Sequence, residues 1–330
     1  MASSGSPSRG CVFYNFGTKY ALRLIVSIYS LRKYYSGPIT LFTDQSAYSE
    51  RLIKSLAPFA VDFHLLEDLS KSFDRHRLVT ESPYVATLVL DSDMIFMGPI
   101  DALWEPLERE GVLATRFYAP PYGVDGTAEK HGWGSRDELL RGVEKLVPPH
   151  VFEAAMKRLH VDRIDVNVGL FGVSKVTGGA FLSEWIETME KGRSQKILLL
   201  DEMTVVALLA AHRHFLADEI WNCPADEFFR RTNLSDARVI HYFADGDAFG
   251  RFRLGRNPNS WAGAKWYQLY AEASEKYDLT LWRSTDPTFA GFVEMAFSGK
   301  RIFRKTIWFR RWQRHLIRLR YQWNSLFQKP

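Results

Sequence analysis

In the first part of the chain, short apolar runs alternate with segments whose apolar residues are spaced three or four positions apart. Short apolar runs predict strands at Cys11 to Asn15, Ile39 to Thr43 and Val61 to Leu65. Between them, apolar residues recur every three or four positions and predict helices, the first with Thr18 as its N-cap. The order strand, helix, strand, helix, strand predicts a parallel sheet with right-handed crossovers, which is typical of an α/β fold.

A fourth apolar run, Val85 to Leu90, stops at Asp91-Ser92-Asp93. Because burying a lone carboxylate costs several kcal/mol, we expect both acids at the carboxyl edge of the sheet, where open α/β sheets bind ligands. A rise of about 3.3 Å per residue separates the two carboxylates by roughly 6–7 Å, so they can share a divalent cation. They could instead cap the next turn, but the apolar segment Met94 to Met97 draws them inward and favours the metal site.

Three later segments also carry polar residues that could bind a ligand or take part in catalysis. A predicted strand, Asp165 to Val173, begins with acidic and amide side chains and contains two glycines, which permit close backbone approach. A buried helix opens with two acids that either complement the helix dipole or face a substrate. A short strand, Val239 to Phe243, contains a histidine of the kind that is usually structural. The candidate residues of these segments are Asp165, Asn167, Asp201, Glu202 and His241.

Composition excludes several protein classes. At 330 residues, 46% hydrophobic and 25% charged, the chain is long enough for one extended α/β domain or two small ones. Two cysteines, Cys11 and Cys223, are too few for a disulfide framework and favour a reducing, cytoplasmic setting. Residues 1–10 are expected to be disordered and form neither signal peptide nor anchor. No run reaches the roughly 20 apolar residues of a membrane span, and no glycine-rich dinucleotide or Walker motif follows a strand.

The charge distribution separates the C-terminal segment from the rest of the chain. Of 43 Lys and Arg, ten lie in residues 299–330, where there is no acid, so the other 33 face 38 Asp and Glu. Aromatic and aliphatic residues from Phe309 onward recur at intervals of three and four and predict an amphipathic helix. Tryptophan with arginine is common at bilayer interfaces, so we predict that 299–330 binds an anionic membrane surface. Packing on the protein's own body is the alternative, and we expect no nucleic acid partner.

Taken in order, these segments resemble the GT-A nucleotide-sugar glycosyltransferases, most closely those of family 8. The resemblance spans residues 11 to about 250. It is carried by an Asp-X-Asp after an apolar strand, a Gly-Pro-hydrophobic-Asp, an Asn-X-Gly strand, an acidic helix start and a late histidine strand. In this chain these motifs are Asp91-Ser92-Asp93, Gly98-Pro99-Ile100-Asp101, Asn167-Val168-Gly169, Asp201-Glu202-Met203 and Ile240-His241-Tyr242.

The resemblance implies a Rossmann-like catalytic domain over residues 11–298 with a mostly parallel sheet flanked by helices. It implies transfer of a sugar, with retention, from a nucleotide-diphosphate sugar such as a UDP-hexose to a carbohydrate, glycolipid or protein acceptor. His241 becomes the third ligand, beside Asp91 and Asp93, of Mn²⁺ or Mg²⁺. The implied nucleotide-binding residues are Asp91, Ser92, Asp93, Asn15, Phe16 and Lys71, and the implied catalytic residues are Asp201, Glu202, Asn167 and Asp165.

Two departures from the family pattern leave other functions open. The helix start usually reads Asp-Gln-Asp, whereas this chain has Glu202 and Met203 in the last two places, and the lysine that usually follows the histidine is missing. One alternative is a phosphatase of the haloacid dehalogenase type, which also ends an apolar strand in Asp-X-Asp, although normally the first strand. The other is a non-catalytic sugar-binding protein with the same fold.

Overall fold

Seven strands form the central sheet of the computed structural model, which describes residues 8–17, 20–45, 49–66, 75–117, 136–162, 164–195, 197, 201–225, 231–242, 261–277 and 279. Every predicted strand of the first half is present within one or two residues of its predicted bounds. The central strands are β1 (Arg9–Asn15), β2 (Ile39–Thr43), β3 (Val61–Leu65), β4 (Ala86–Leu90), β6 (Val112–Phe117), β7 (Asp165–Ser174) and β8 (Phe215–Ala217).

The strand order is β3-β2-β1-β4-β7-β6-β8. Strands β1 to β4 pair in parallel, as the alternation of strands and helices predicts. Strand β7 runs antiparallel to both β4 and β6, whereas β6 and β8 are parallel. Because β7 is reversed, its beginning lies at the edge of the sheet where the other strands end.

Nine helices occur among the described residues, and several of them cover the sheet. The helix predicted after β1 is observed as α1, but Tyr20, and not Thr18, occupies its N-cap position. Two short helices lie within residues 136–160. The helices are α1 (Ala21–Arg32), α2 (Glu50–Leu56), α3 (His76–Thr80), α4 (Trp104–Glu110), α5 (Arg136–Glu144), α6 (Pro149–His160), α7 (Gly179–Ser194), α8 (Asp201–Leu208) and α9 (Trp261–Lys276).

The hydrophobic core joins the sheet to α5, α6, α7 and α8. All five residues of β4 are buried, which explains why this strand reads as a continuous apolar run. On α7, Phe181 and Trp185 are both 1% exposed and pack against Phe171 of β7. Helix α8 is buried almost all round, as its sequence predicts, and it contacts α7 and β7.

A second sheet of three short strands stands beside the end of β4. It consists of β5 (Met94–Phe96), β10 (Val239–His241) and β9 (Cys223–Pro224), in the order β5-β10-β9. Ser30 connects it to helix α1, because the Ser30 Oγ accepts a hydrogen bond from the Phe96 backbone N–H at 2.9 Å. This small sheet brings a strand from late in the chain to the Asp-X-Asp segment.

Several sequence predictions fall on residues outside the described ranges, among them Lys71, residues 1–7 and the basic segment 299–330. No described helix combines the length and hydropathy that crossing a bilayer requires. Cys11 and Cys223 are both buried.

Candidate active site

Asp91, Asp93 and His241 lie together at the carboxyl edge of the central sheet. Each offers one ligand atom, and these atoms are within 4.8 Å of one another. The Nε2 atom of His241 is 3.0 Å from Asp93 Oδ1 and 3.6 Å from Asp91 Oδ2. The carboxylate oxygens of Asp91 and Asp93 are closer to each other than the roughly 6–7 Å expected for an extended strand. The reason is that the chain turns at Ser92 and Asp93 between β4 and β5.

Main-chain pairing in the small sheet places His241. Strand β10 is antiparallel to β5, with His241 opposite Met94, the residue that follows Asp93. The next residue, Tyr242, donates its backbone N–H to the Asp93 carbonyl at 3.0 Å. The imidazole is 2% exposed. The histidine is therefore held by backbone bonds against the segment that carries both acids.

Gly169 of β7 provides the space that the imidazole occupies. A Cβ atom at this position would lie 2.3 Å from Cε1 and 2.8 Å from Nδ1 of His241. The carbonyl oxygen of Gly169 also accepts a hydrogen bond from the Asp91 backbone N–H at 2.8 Å. The glycine of the Asn-X-Gly motif thus permits the close approach that its sequence context suggested.

Arg75 and Tyr14 hold the carboxylate of Asp91. Arg75 Nη2 donates to Asp91 Oδ1 at 3.0 Å and to the Tyr14 hydroxyl oxygen at 2.7 Å, and the Tyr14 hydroxyl donates to Asp91 Oδ1. Burial is the main reason why the pKa of Tyr14 is raised, so its hydroxyl stays protonated and remains a donor. The site therefore contains a guanidinium next to its acids.

The buried His241 and the partly buried Asp93 stabilise each other's charged forms. Burial alone would raise the pKa of Asp93, but the charge and hydrogen bond of His241 outweigh it and lower this pKa below its usual value. Burial alone would lower the pKa of His241, but Asp93 and then Asp91 outweigh it and raise this pKa. Without a metal, the proton on Nε2 compensates part of the negative charge of the two acids.

Asn222 connects His241 to the central sheet from the other side. Its Oδ1 lies 2.8 Å from His241 Nδ1. Its Nδ2 donates to Thr115 Oγ1 of β6 at 2.6 Å and to Asn167 Oδ1 of β7 at 3.0 Å. Asn222 is 1% exposed and follows the 3₁₀ turn Glu219–Trp221. It belongs to none of the sequence-predicted sets, because its role depends on contacts with residues more than 50 positions earlier in the chain.

The predicted catalytic residues occupy different environments. Asn167 reaches the network beside His241, and its Oδ1 also accepts the Gly169 backbone N–H at 2.9 Å. Asp165 begins β7 at the same edge of the sheet, is 1% exposed, and accepts the Val166 backbone N–H at 2.8 Å. Asp201 and Glu202 begin helix α8 as predicted, and Glu202 is partly exposed.

The predicted nucleotide-binding residues that the structure describes, which exclude Lys71, lie at the ends of β1 and β4. Asn15, the last residue of β1, is 3% exposed, and its Nδ2 donates to the Gly17 carbonyl at 2.8 Å. Its Oδ1 is buried without a hydrogen-bond partner among the described residues, so a ligand donor is compatible with it. Phe16 packs near Tyr14, with ring centroids 6.0 Å apart, and Ser92 is partly exposed in the turn between the aspartates.

The residues present fit a divalent cation. Two carboxylates and one imidazole are a donor set that suits Mn²⁺ or Mg²⁺ better than a soft metal. The second nitrogen of His241 is already hydrogen-bonded to a buried amide, as is typical of metal-binding histidines. Sequence reasoning found these three candidate ligands but missed Arg75, Tyr14 and Asn222, which support them.

No protein-family model and no curated protein matches the chain. Among solved structures, it is similar to the glycosyltransferase GlyE of Streptococcus pneumoniae TIGR4, with TM-score 0.52 and 13% identity over 82% of this chain and 63% of that one. The apo form of GlyE gives TM-score 0.51 and 15% identity over 82% and 62%. The galactosyltransferase LgtC, solved with donor and acceptor sugar analogs, gives TM-score 0.48 and 14% identity over 84% and 99%.

The strand order and the likeness to GlyE define the class of this protein by its fold. It has the GT-A glycosyltransferase fold, with a mainly parallel seven-stranded sheet flanked by helices, and the sequence prediction of this fold is confirmed. The narrower resemblance to family 8 stays a prediction.

Proposed function

We propose that this protein is a metal-dependent glycosyltransferase that uses a nucleotide-diphosphate sugar as its donor. The observation that carries the proposal is the Asp91, Asp93 and His241 cluster at the carboxyl edge of a GT-A sheet. Asp91, Asp93 and the Nε2 atom of His241 would hold Mn²⁺ or Mg²⁺. Bound there, the cation would offset the negative charge that develops on the departing diphosphate.

The surrounding residues suit the charge changes of sugar transfer. Cleavage at the anomeric carbon produces positive charge on the sugar and negative charge on the leaving group. The guanidinium of Arg75, beside Asp91, offers donors to phosphate oxygens. Asn167, Asp165, Asp201 and Glu202 lie on two elements that contact each other, β7 and α8, and we assign to them the orientation of sugar hydroxyls and the stabilisation of the positive charge.

The finer assignments rest on the family resemblance. They are a UDP-hexose donor, a carbohydrate, glycolipid or protein acceptor, and retention of anomeric configuration. The phosphatase alternative is not favoured, because the strand that Asp91 follows is the fourth in the chain and not the first. A non-catalytic sugar-binding protein is the remaining alternative that the experiment must exclude.

The test is a thermal-shift panel of UDP, GDP, CDP and their sugars with and without Mn²⁺, followed by an assay of nucleotide release. A ligand at 100 times its Kd adds about 2.7 kcal/mol to the free energy of unfolding. We expect the largest Mn²⁺-dependent shift with UDP or a UDP-sugar, and we expect Asp93→Asn to lose it. The matched control is Asp62→Asn, which removes an exposed acid of β3.

The outcomes separate the candidate functions. Mn²⁺-dependent release of nucleotide from a sugar nucleotide supports the enzyme. Binding of the nucleotide sugar with no release, in the presence of candidate acceptors, supports the non-catalytic alternative. Phosphate release from an aryl phosphate would support the phosphatase.

We propose also that residues 299–330 bind an anionic membrane surface, which would place the active site at the cytoplasmic face near lipid-linked acceptors. The support is compositional: ten basic residues and no acid in this segment. Each basic residue near an anionic surface contributes about 1 kcal/mol, less as salt increases. The test is co-sedimentation of the full chain with anionic and neutral vesicles, against a variant with Arg310, Arg311, Arg314 and Arg318 replaced by Gln. Equal binding by both proteins would contradict the proposal.

A further inference from the structure

The hydrogen bonds around Asn222 determine which way its amide group faces. The hydroxyl of Thr115 donates its single proton to main-chain carbonyls of β7, at 2.8 Å to Asn167 and 3.2 Å to Leu170. Thr115 Oγ1 can therefore only accept from Asn222, at 2.6 Å. The nitrogen of the Asn222 side chain must face Thr115, and the oxygen must face His241.

A second hydrogen-bonded group of β7, the Asn167 side chain, leads to the same orientation of the Asn222 amide. The Gly169 backbone N–H donates to Asn167 Oδ1, which identifies that atom as the oxygen of the Asn167 amide. This oxygen also faces Asn222, at 3.0 Å, and needs a donor there. Three main-chain groups of β7, namely two carbonyls and one N–H, thus set the orientation of the Asn222 amide independently of the histidine.

This orientation has a chemical consequence for His241. Since Asn222 Oδ1 is an acceptor 2.8 Å from Nδ1, Nδ1 keeps its proton when a cation takes the place of the proton on Nε2. The lone pair is then on Nε2, the atom that faces Asp93 and Asp91. With the opposite amide orientation, the neutral ring would carry its proton on Nε2 and could not bind a metal between the two acids.

We propose that Asn222 is a positioning residue that fixes His241 in the Nδ1–H tautomer and so prepares Nε2 to bind a divalent cation. The inference rests on the metal site of the proposed function and extends it by one residue. Asn222 acts through His241, and its amide in turn receives its orientation from Thr115 and Asn167 of the central sheet. The central sheet therefore determines which ring nitrogen of His241, a residue of the small sheet, is available to bind the metal.

The experiment measures tautomer and metal affinity separately in the full-length protein. Imidazole ¹⁵N NMR of the protein saturated with diamagnetic Mg²⁺ reports which ring nitrogen carries the proton, with His241→Gln used to assign the signals. Electron paramagnetic resonance titration with Mn²⁺ alone reports affinity. The variants are Asn222→Leu, which removes the acceptor at nearly constant volume, and Asn222→Asp, which keeps an oxygen facing Nδ1.

The matched structural control is Ser30→Ala. It removes a buried hydrogen bond to the Phe96 backbone N–H in the same small sheet but does not contact the imidazole. We expect Asn222→Leu to lose the single Nδ1–H tautomer and to bind Mn²⁺ about 10–100-fold more weakly. Asn222→Asp should keep the tautomer and bind more tightly than Asn222→Leu, and Ser30→Ala should keep both properties with lowered stability.

Three results would overturn the inference. In a wild type that binds Mn²⁺, a Mg²⁺-loaded spectrum with the ring proton on Nε2 and none on Nδ1 refutes it even if the Leu variant does not fold. Equal Mn²⁺ affinity of wild type and Asn222→Leu refutes it for a folded variant. Equal loss of affinity in Ser30→Ala and Asn222→Leu reduces Asn222 to a structural residue. Failure of the proposed function is distinguishable, because then the wild type itself binds no Mn²⁺, whatever its tautomer.

Discussion

Adding one methyl group at Gly169 should disable the candidate metal site while leaving most of the fold in place. In Gly169→Ala the new Cβ would lie 2.3 Å from His241 Cε1, 2.8 Å from His241 Nδ1 and 2.9 Å from Asn167 Oδ1. Non-bonded carbon atoms prefer a separation of about 3.5–4.0 Å, so the ring must move by more than about 1 Å, or β7 must shift.

Either movement is large for a metal ligand. Metal–ligand distances in real sites lie within about 0.2 Å of their ideal values, so a displacement of about 1 Å removes His241 from the ligand set. A shift of β7 has a similar effect on Asp91, whose backbone N–H is bonded to the Gly169 carbonyl. We expect Mn²⁺ affinity to fall by at least about tenfold, equivalent to about 1.4 kcal/mol of binding free energy. The overpacking itself should cost about 1–3 kcal/mol of folding stability.

Gly172→Ala is the matched control on the same strand. Its Cβ would meet the ends of two flexible side chains, Leu88 at 2.9 Å and Leu107 at 3.0 Å, on the opposite face of the sheet. Thermal unfolding would measure stability, and Mn²⁺ titration would measure affinity for both variants. We expect comparable destabilisation but a loss of affinity only in Gly169→Ala. Unchanged affinity in that variant, or an equal loss in the control, would refute the argument from steric contact with His241.

The other predictions concern the ligands and the acid at the start of α8. Asp93→Ala should abolish Mn²⁺-dependent nucleotide binding and sugar transfer without unfolding the protein; near-normal transfer would show that the metal assignment is wrong. Because Asp93 and Asp91 raise the pKa of His241, and a metal must displace the proton on Nε2, Mn²⁺ affinity should increase as the pH rises through that pKa and then level off. A pH-independent titration of wild type would contradict this coupling. Glu202→Gln should lower kcat at least about tenfold at unchanged Tm if Glu202 faces the sugar, whereas a dipole-complementing residue would cost only a few tenths of a kcal/mol of stability.

Much of the fold could be predicted because its inner strands are buried on both faces. Such strands read as continuous apolar runs, so β2 was predicted at its observed bounds and β4 within one residue. The edge strand β3 is only partly buried, and its alternating apolar and polar residues also predicted its bounds. The position of Asp91 and Asp93 also followed from local chemistry, since carboxylates are expelled to the end of a buried strand. The apolar residues of α7 recur every three or four positions, and they are largely the residues that the core buries.

The family resemblance, and not local pattern, connected His241 with the two acids. The histidine lies on a three-residue strand 148 positions after Asp93, and a lone histidine in such a strand is usually structural. The structure brings them together through the antiparallel pairing of β10 with β5. This pairing has no sequence signature of its own, because short strands of a small sheet are specified by their neighbours.

Only the tertiary structure decided the direction of β7 and the partners of the site. An apolar strand has the same pattern in either direction, yet only the antiparallel direction puts the beginning of β7, with Asn167 and Gly169, beside His241. Arg75 and Asn222 lie in segments without a periodic pattern, and their importance comes from hydrogen bonds to Asp91 and His241. Local periodicity reports which face of an element is buried, whereas a polar network depends on which elements meet, and that is settled by long-range packing.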